Sequence, residues 1–173
     1  MTRDEFWNIV DGVNSSAAGD MTRKCELLAA ALGGRTAAEV ESFSVHFDEC
    51  DDRAFSWELW AAAHIMGRGC SDDAFADFRA TLISLGRKTF ETVLAVPETL
   101  VDIDIDPEQV FHEGFQYVAM TVYEERTGSP PARGGRAGDE SIEDEIKPTG
   151  RRWREDRIRD LYPRLATKYA PPA

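Results

Sequence analysis

The residues best placed to do chemistry surround a glycine-containing turn, Gly67 to Asp73, that leads into a helix N-terminus. Free backbone N–H groups and the helix dipole at such a point bind an anion or lower a thiol pKa, and Cys70 stands just before Ser71, the capping hydroxyl. Asp72 and Asp73 follow in the first helical turn, where their charge suits the dipole but occupies the place an anion would approach. Arg79 and Arg87 lie within reach in sequence. His64 and Glu113 add an imidazole and a further carboxylate, and Trp57 and Trp60 are candidates to line a pocket wall. The same residues also satisfy a structural reading: Ser71 is a sufficient N-cap by itself, and large aromatics at helical spacing form cores.

Two apparent metal motifs do not complete. Asp102, Asp104, Asp106 and Glu113 copy the carboxylate spacing of an EF-hand loop, but the sixth position, where the loop must turn on glycine, is Pro107, and the apolar eighth is Gln109. His46 and Cys50 are four apart on one helix, and two ligands do not make a site. No Ser-His-Asp order, phosphate-binding loop, dinucleotide fingerprint or two-cysteine redox motif is present, so neither a metal nor a cofactor is expected.

These side chains must be held by a single acidic domain. The chain has 173 residues and a formal charge of −12, and at this size about 70% of the unfolded surface is buried on folding without staples. Three cysteines without regular spacing argue for a reducing, cytoplasmic setting, and no apolar run approaches the ~18 residues of a membrane span. The charge is divided unevenly: residues 1–146 carry 12 basic and 29 acidic side chains, net −17, and residues 147–173 carry 8 and 3, net +5. An acidic body repels polyanions, so nucleic acid is an unlikely partner despite the arginines around Trp153. Trp153, Ile158, Leu161, Tyr162 and Leu165 give the basic segment an apolar face, which favours its docking on the body.

The periodicity predicts an all-α or mainly α bundle of about seven to eight helices. Thr2 with Glu5 and Thr36 with Glu39 are capping boxes that open the first and third helices. The second follows Asp20 and stops at Gly33 and Gly34. Asp51 or Asp52 offers the cap for a fourth helix over residues 53–66, apolar nearly all round and therefore central. Ser71 caps the fifth, with Phe75, Phe78, Leu82 and Leu85 inward. A short helix carries Phe90, Val93 and Leu94 to Pro97. The seventh is expected to start at Asp106 and Pro107, with Gln109 closing a capping box, and to stop at Gly128. Residues 129–150 read as a mobile loop, and a last helix over 154–169 is open to a kink or an interruption at Pro163. Only Val101 to Ile105 has a strand pattern.

The run Gly69-Cys70-Ser71-Asp72-Asp73, then Phe75, Phe78-Arg79, Leu82-Ile83 and Gly86-Arg87, resembles the hallmark of a bacterial, actinobacterial-type family catalogued as domain of unknown function 4240. Phe6-Trp7, His46-Phe47, Trp57 with Leu59-Trp60, Tyr123-Glu124 with Thr127-Gly128, and Trp153 with Pro163-Arg164-Leu165 agree in order. Arg68 departs from it, standing where relatives resemble a second small residue. The resemblance implies a mainly helical single domain and supplies no catalytic residues.

The expected organisation is a helical core over 1–128, an acidic loop over 129–150 and a basic amphipathic helix over 151–173. The leading expectation for function is a protein-interaction or accessory module acting through its acidic surface. The alternative is a small-ligand-binding protein or enzyme. Its pocket would lie between the fourth, fifth and seventh helices, using His64, Cys70, Ser71, Asp72, Asp73, Arg79, Arg87 and Glu113, with Trp57 and Trp60 as lining.

Overall fold

Thr2 and Thr36 each accept a hydrogen bond from the backbone of a glutamate three residues on, and each glutamate reaches back to its threonine, so α1 (Arg3–Ala17) and α3 (Ala37–Ala54) begin in complete capping boxes. Asp20 caps α2 (Met21–Gly33) through Arg23 N. Ser56 caps α4 (Trp57–Gly67) and Ser71 caps α5 (Asp72–Ser84) in the same manner. These elements come from a computed structural model that describes residues 1–106, 109–131 and 147–170. Among the described residues the chain is all helical, with α6 (Arg87–Ala95), α7 (Val118–Thr127), α8 (Ile158–Leu161), α9 (Pro163–Lys168) and three 3-10 turns completing the set.

Helix α6 lacks a side-chain cap of its own, and α1 supplies one. Asp11 Oδ1 accepts from Arg87 N at 2.9 Å. The approach requires Gly86, which has φ +91° and on which a Cβ would collide with the Asp11 carboxylate. Asn14 Nδ2 donates to Leu85 O at 2.9 Å beside it, so the α5–α6 corner is fastened to α1 by two side chains.

Helices α4 and α5 are enclosed. Ala61, Ala62 and Ala63 are buried in succession on α4, which allows close backbone approach, and every residue of α5 from Phe78 to Ser84 is buried. Helix α5 touches α1, α3, α4 and α6. Phe6, Trp7, Phe43, Phe75, Phe78, Phe90 and Phe115 are at most 2% exposed and fill the centre.

Two boundaries differ from the sequence expectation, with long-range contacts at each, and the last helix is interrupted at the proline where the sequence allowed it. Helix α3 runs through Asp51 and Asp52 to Ala54, and the break falls at Phe55 and Ser56 because Thr149 pairs with it: Thr149 N donates to Phe55 O at 3.0 Å and Trp57 N to Thr149 O at 2.9 Å. The seventh helix begins at Val118, after a 3-10 turn at Phe115–Tyr117. Gln109 Oε1 accepts from Met21 N at 3.1 Å and so does not close a capping box, while Gly114, at φ +143°, bends the chain before α7; Pro107 lies outside the described residues. The last helix is divided into a 3-10 turn at Glu155–Arg157, α8 and α9, separated at Tyr162 before Pro163.

The Val101 to Ile105 segment forms no strand. Its first two residues end a 3-10 turn at Pro97–Asp102, and the carbonyls of Val101 and Ile103 accept from Lys168 Nζ at 2.9 and 3.0 Å. The basic segment lies against α4 and the Pro97–Asp102 turn. Ile158, Leu165, Ala166 and Tyr169 are buried there, Tyr162 Oη donates to Glu58 O at 3.2 Å, and Arg164 pairs with Asp102 at 2.7 Å. Of the loop expected over 129–150, residues 132–146 lie outside the described residues.

Candidate functional site

The residues singled out around the Gly67 to Asp73 turn divide into a packed cluster and two outliers. Trp60 stacks on Trp57 at 5.2 Å and on Phe75 at 4.8 Å between ring centroids, and its Nε1 donates to Cys70 O at 3.0 Å. His64 lies on the next turn of α4 with its ring 4.9 Å from Trp153. Burial pushes the Cys70 thiol up to about 12, which removes the thiolate that a nucleophile requires. Ser71 spends its hydroxyl on Ala74 N, and Asp72 and Asp73 are exposed in the first turn of α5.

The arginines do not join them as ligand donors. Arg79 forms a two-bond pair with Asp51, Nε to Oδ1 at 2.7 Å and Nη2 to Oδ2 at 2.9 Å, and its guanidinium lies over the Phe55 and Phe75 rings. All of that is structural pairing of a buried cation. Arg87 turns to α1, where it meets Asp4 at 2.8 Å. Glu113 is exposed and acts on Asp77, whose carboxyl is pushed up first by burial and then by the charges of Glu113 and Asp73. Of the residues offered for the alternative pocket, Arg79 and Arg87 pair with Asp51 and Asp4, and Asp72 and Asp73 are exposed.

A different cavity carries unspent polar groups. It opens between α2, the end of α5, residues 104–106 and Gln109, has a volume of about 450 Å³, and is lined by Met21, Lys24, Thr81, Leu85, Ile105 and Gln109, with Asp20, Asp104 and Asp106 also on its wall. Lys24 is 1% exposed. Its Nζ donates to Ser84 O and Ser84 Oγ, both at 3.2 Å, and it forms no ion pair among the described residues. Ser84 Oγ donates in turn to Thr81 O at 2.6 Å, which leaves its lone pairs to accept from Lys24.

Two acceptors, both on Ser84, are in place at Nζ. Burial pushes the Lys24 ammonium down to about 8, so the charged form predominates at neutral pH and the neutral amine becomes abundant from about pH 8 upward. Thr81, 2% exposed, has its Oγ1 buried without a hydrogen-bond partner. Thr81 and Ser84 are three apart on α5 and share one face, and Thr81 and Lys24 both line the cavity.

The sequence held a signal for Lys24. Met21, Lys24, Leu28 and Leu32 are spaced i, i+3, i+7 and i+11 and are all buried, so a lysine occupies a core position of α2. For Thr81 the signal is weaker, since a threonine at a core position is common and its hydroxyl ordinarily bonds back along the helix. Among the described residues no group of three or more His, Cys, Asp or Glu is arranged to hold a metal ion, and no helix is long and apolar enough to cross a membrane.

An all-helical single domain with a polar-walled cavity is thus the class of protein defined by the fold. The chain belongs to the family described as protein of unknown function, DUF4240, whose sequence model matches residues 1–125. No curated protein and no solved structure matches the chain.

Proposed function

We propose that this protein binds a small organic ligand in the Lys24 cavity, with a cationic group of the ligand at the acidic mouth and a polar end against Lys24 and Thr81. The observation that carries this reading is the pairing of two buried, under-used polar groups on one open wall: an amine without a counter-charge and a hydroxyl without a partner. Buried polar groups left unmatched cost stability, and a ligand that matches them recovers that cost. Asp20, Asp104 and Asp106 outnumber the one lysine, which favours a positively charged ligand group over an anion.

The test is a titration followed by NMR of Met and Ile methyl groups, using butyltrimethylammonium, butanol and butyrate as probes of one size and three charges. The cation is expected to shift the Met21 and Ile105 methyl signals, more strongly than butanol and much more than butyrate, and Asp104→Asn is expected to weaken that response. Absence of any shift at Met21 and Ile105 with all three probes would overturn the reading.

Partner binding through the acidic surface is the second reading, supported by the net −17 of residues 1–146. It has little apolar anchorage, because the large apolar side chains exposed among the described residues are Val96, Tyr117 and Leu161. The free thiols of Cys25, Cys50 and Cys70 support a reducing, cytoplasmic setting for either function.

A further inference from the structure

We infer that Lys24 is a carbonyl-capturing amine: its Nζ forms a Schiff base with an aldehyde or ketone group of a ligand whose other end is cationic. This inference rests on the cavity being a ligand site and names the chemistry of that site. Its geometric basis is the placement of the amine. Nζ is held by Ser84 O and Oγ at 3.2 Å, forms no ion pair among the described residues, and belongs to a residue that lines the cavity.

The burial that pushes the Lys24 ammonium down to about 8 gives it a neutral fraction near pH 8 roughly a hundredfold above that of an ordinary lysine. Lysines desolvated in this way, without a carboxylate partner, are suited to attack carbonyl carbon.

The step balances without an oxidant or reductant. The Nζ lone pair forms the bond to the carbonyl carbon as the C=O π pair moves to oxygen, which takes a proton from water to give a carbinolamine. Thr81 Oγ1, the unpartnered hydroxyl on the same face of α5, is the donor available to hydrogen-bond that oxygen. The nitrogen loses a proton to solvent, the carbinolamine hydroxyl leaves as water with a second proton, and a C=N bond remains. Met21, Leu85 and Ile105 supply apolar wall for a short carbon chain, and the aspartates at the mouth face its charged end. The ligand class is therefore a small aminoaldehyde, aminoketone or quaternary-ammonium aldehyde.

The chain contains four lysines, Lys24, Lys88, Lys147 and Lys168, and the other three are exposed, so the protein carries its own controls. The full chain would be incubated near pH 8 with betaine aldehyde, butanal or glyoxylate and sodium cyanoborohydride, and the alkylated lysines mapped by peptide mass spectrometry. Lys24 is expected to be labelled at least ~10-fold faster than any exposed lysine by betaine aldehyde, with butanal slower and glyoxylate slowest. Thr81→Val, which keeps the volume of the side chain, should slow Lys24 labelling and leave labelling of the other three unchanged. Labelling of Lys24 no faster than that of the exposed lysines would overturn the inference. If butyltrimethylammonium still shifts the Met21 and Ile105 signals in that case, the ligand site stands and only its covalent chemistry fails; loss of both removes both.

Discussion

Replacing Lys24 by methionine should change the pH dependence of stability in a window set by that one side chain. In the unfolded chain a lysine holds its proton up to about 10.5, and in the folded protein Lys24 releases it at about 8. Between those values the unfolded state binds more protons, so the wild type gains stability as pH rises. Below about 8 the whole cost of burying the charge is present, and above about 10.5 it has gone. The difference corresponds to about 3 kcal/mol. The two hydrogen bonds to Ser84 are lost in the variant at every pH and displace the curve by a constant. Urea denaturation of Lys24→Met and wild type at closely spaced pH values supplies the comparison. Wild-type stability minus variant stability should climb by about 3 kcal/mol across the window. Cys25, pushed up by burial and lowered by the neighbouring Lys24 charge, is the thiol coupled to this titration, so the pair is best repeated with Cys25→Ser. A difference curve flat to within about 0.5 kcal/mol would refute the reasoning, because no group lowered in the folded state would then have been removed.

Other perturbations test the elements that hold the cavity in place. Asp51→Ala leaves the buried Arg79 guanidinium without its two-bond partner and should cost about 3 kcal/mol in urea denaturation, much more than removal of an exposed carboxylate such as Glu26. Gly86→Ala forces a Cβ onto a φ of +91° and into the Asp11 carboxylate, with an expected loss of about 2 kcal/mol and a lower melting temperature. Leu165→Ala should cost about 3 kcal/mol, whereas breaking the exposed Arg164 and Asp102 pair should cost under ~1, since burial holds the basic segment more strongly than charge does. Cys50 and Cys70, with thiols pushed up by burial to about 11 and about 12, should react with iodoacetamide near pH 8 far more slowly in the folded protein than in urea.

What could be read from the sequence was set by distance along the chain. The capping boxes at Thr2 and Thr36, the caps at Asp20 and Ser71, and the stop at Gly128 are local devices complete within a few residues, and the structure forms them all. The α3–α4 boundary was misplaced because its determinant is Thr149, which supplies backbone partners from the far end of the chain. Gln109 has the right spacing for a capping box, but Met21 N, brought beside it by the packing of α2, takes its amide oxygen. The alternative ligand site at the Gly67 to Asp73 turn involved arginines whose partners are equally distant in sequence. Nothing near Arg79 or Arg87 in sequence announces that Asp51 and Asp4 will neutralise them, and an arginine already paired is not a ligand donor. Lys24 had the opposite appearance, a single cation on an otherwise apolar stripe, and its meaning depends on its bonding to Ser84, with no ion pair among the described residues, once α2 packs on α5.

Arg79 and Lys24 allow a comparison that separates structural charge from functional charge within one molecule. Both are cations on buried helix faces, and burial imposes a large desolvation cost on each. Around Arg79 the fold recovers that cost with a carboxylate held by two bonds and with two aromatic faces. Around Lys24 the fold supplies two neutral oxygens from a single serine and leaves the hydroxyl of Thr81 unbonded nearby. Methionine at one position and valine at the other would fill similar volume without those costs, so core packing gives no reason for either residue. A ligand that bonds to both would recover both costs on the single cavity wall. Lys24→Met with Thr81→Val should therefore give a protein more stable than wild type near neutral pH and unable to bind the cationic probe. A double variant that gained stability and still shifted its Met21 and Ile105 signals would place the ligand contacts elsewhere on the wall.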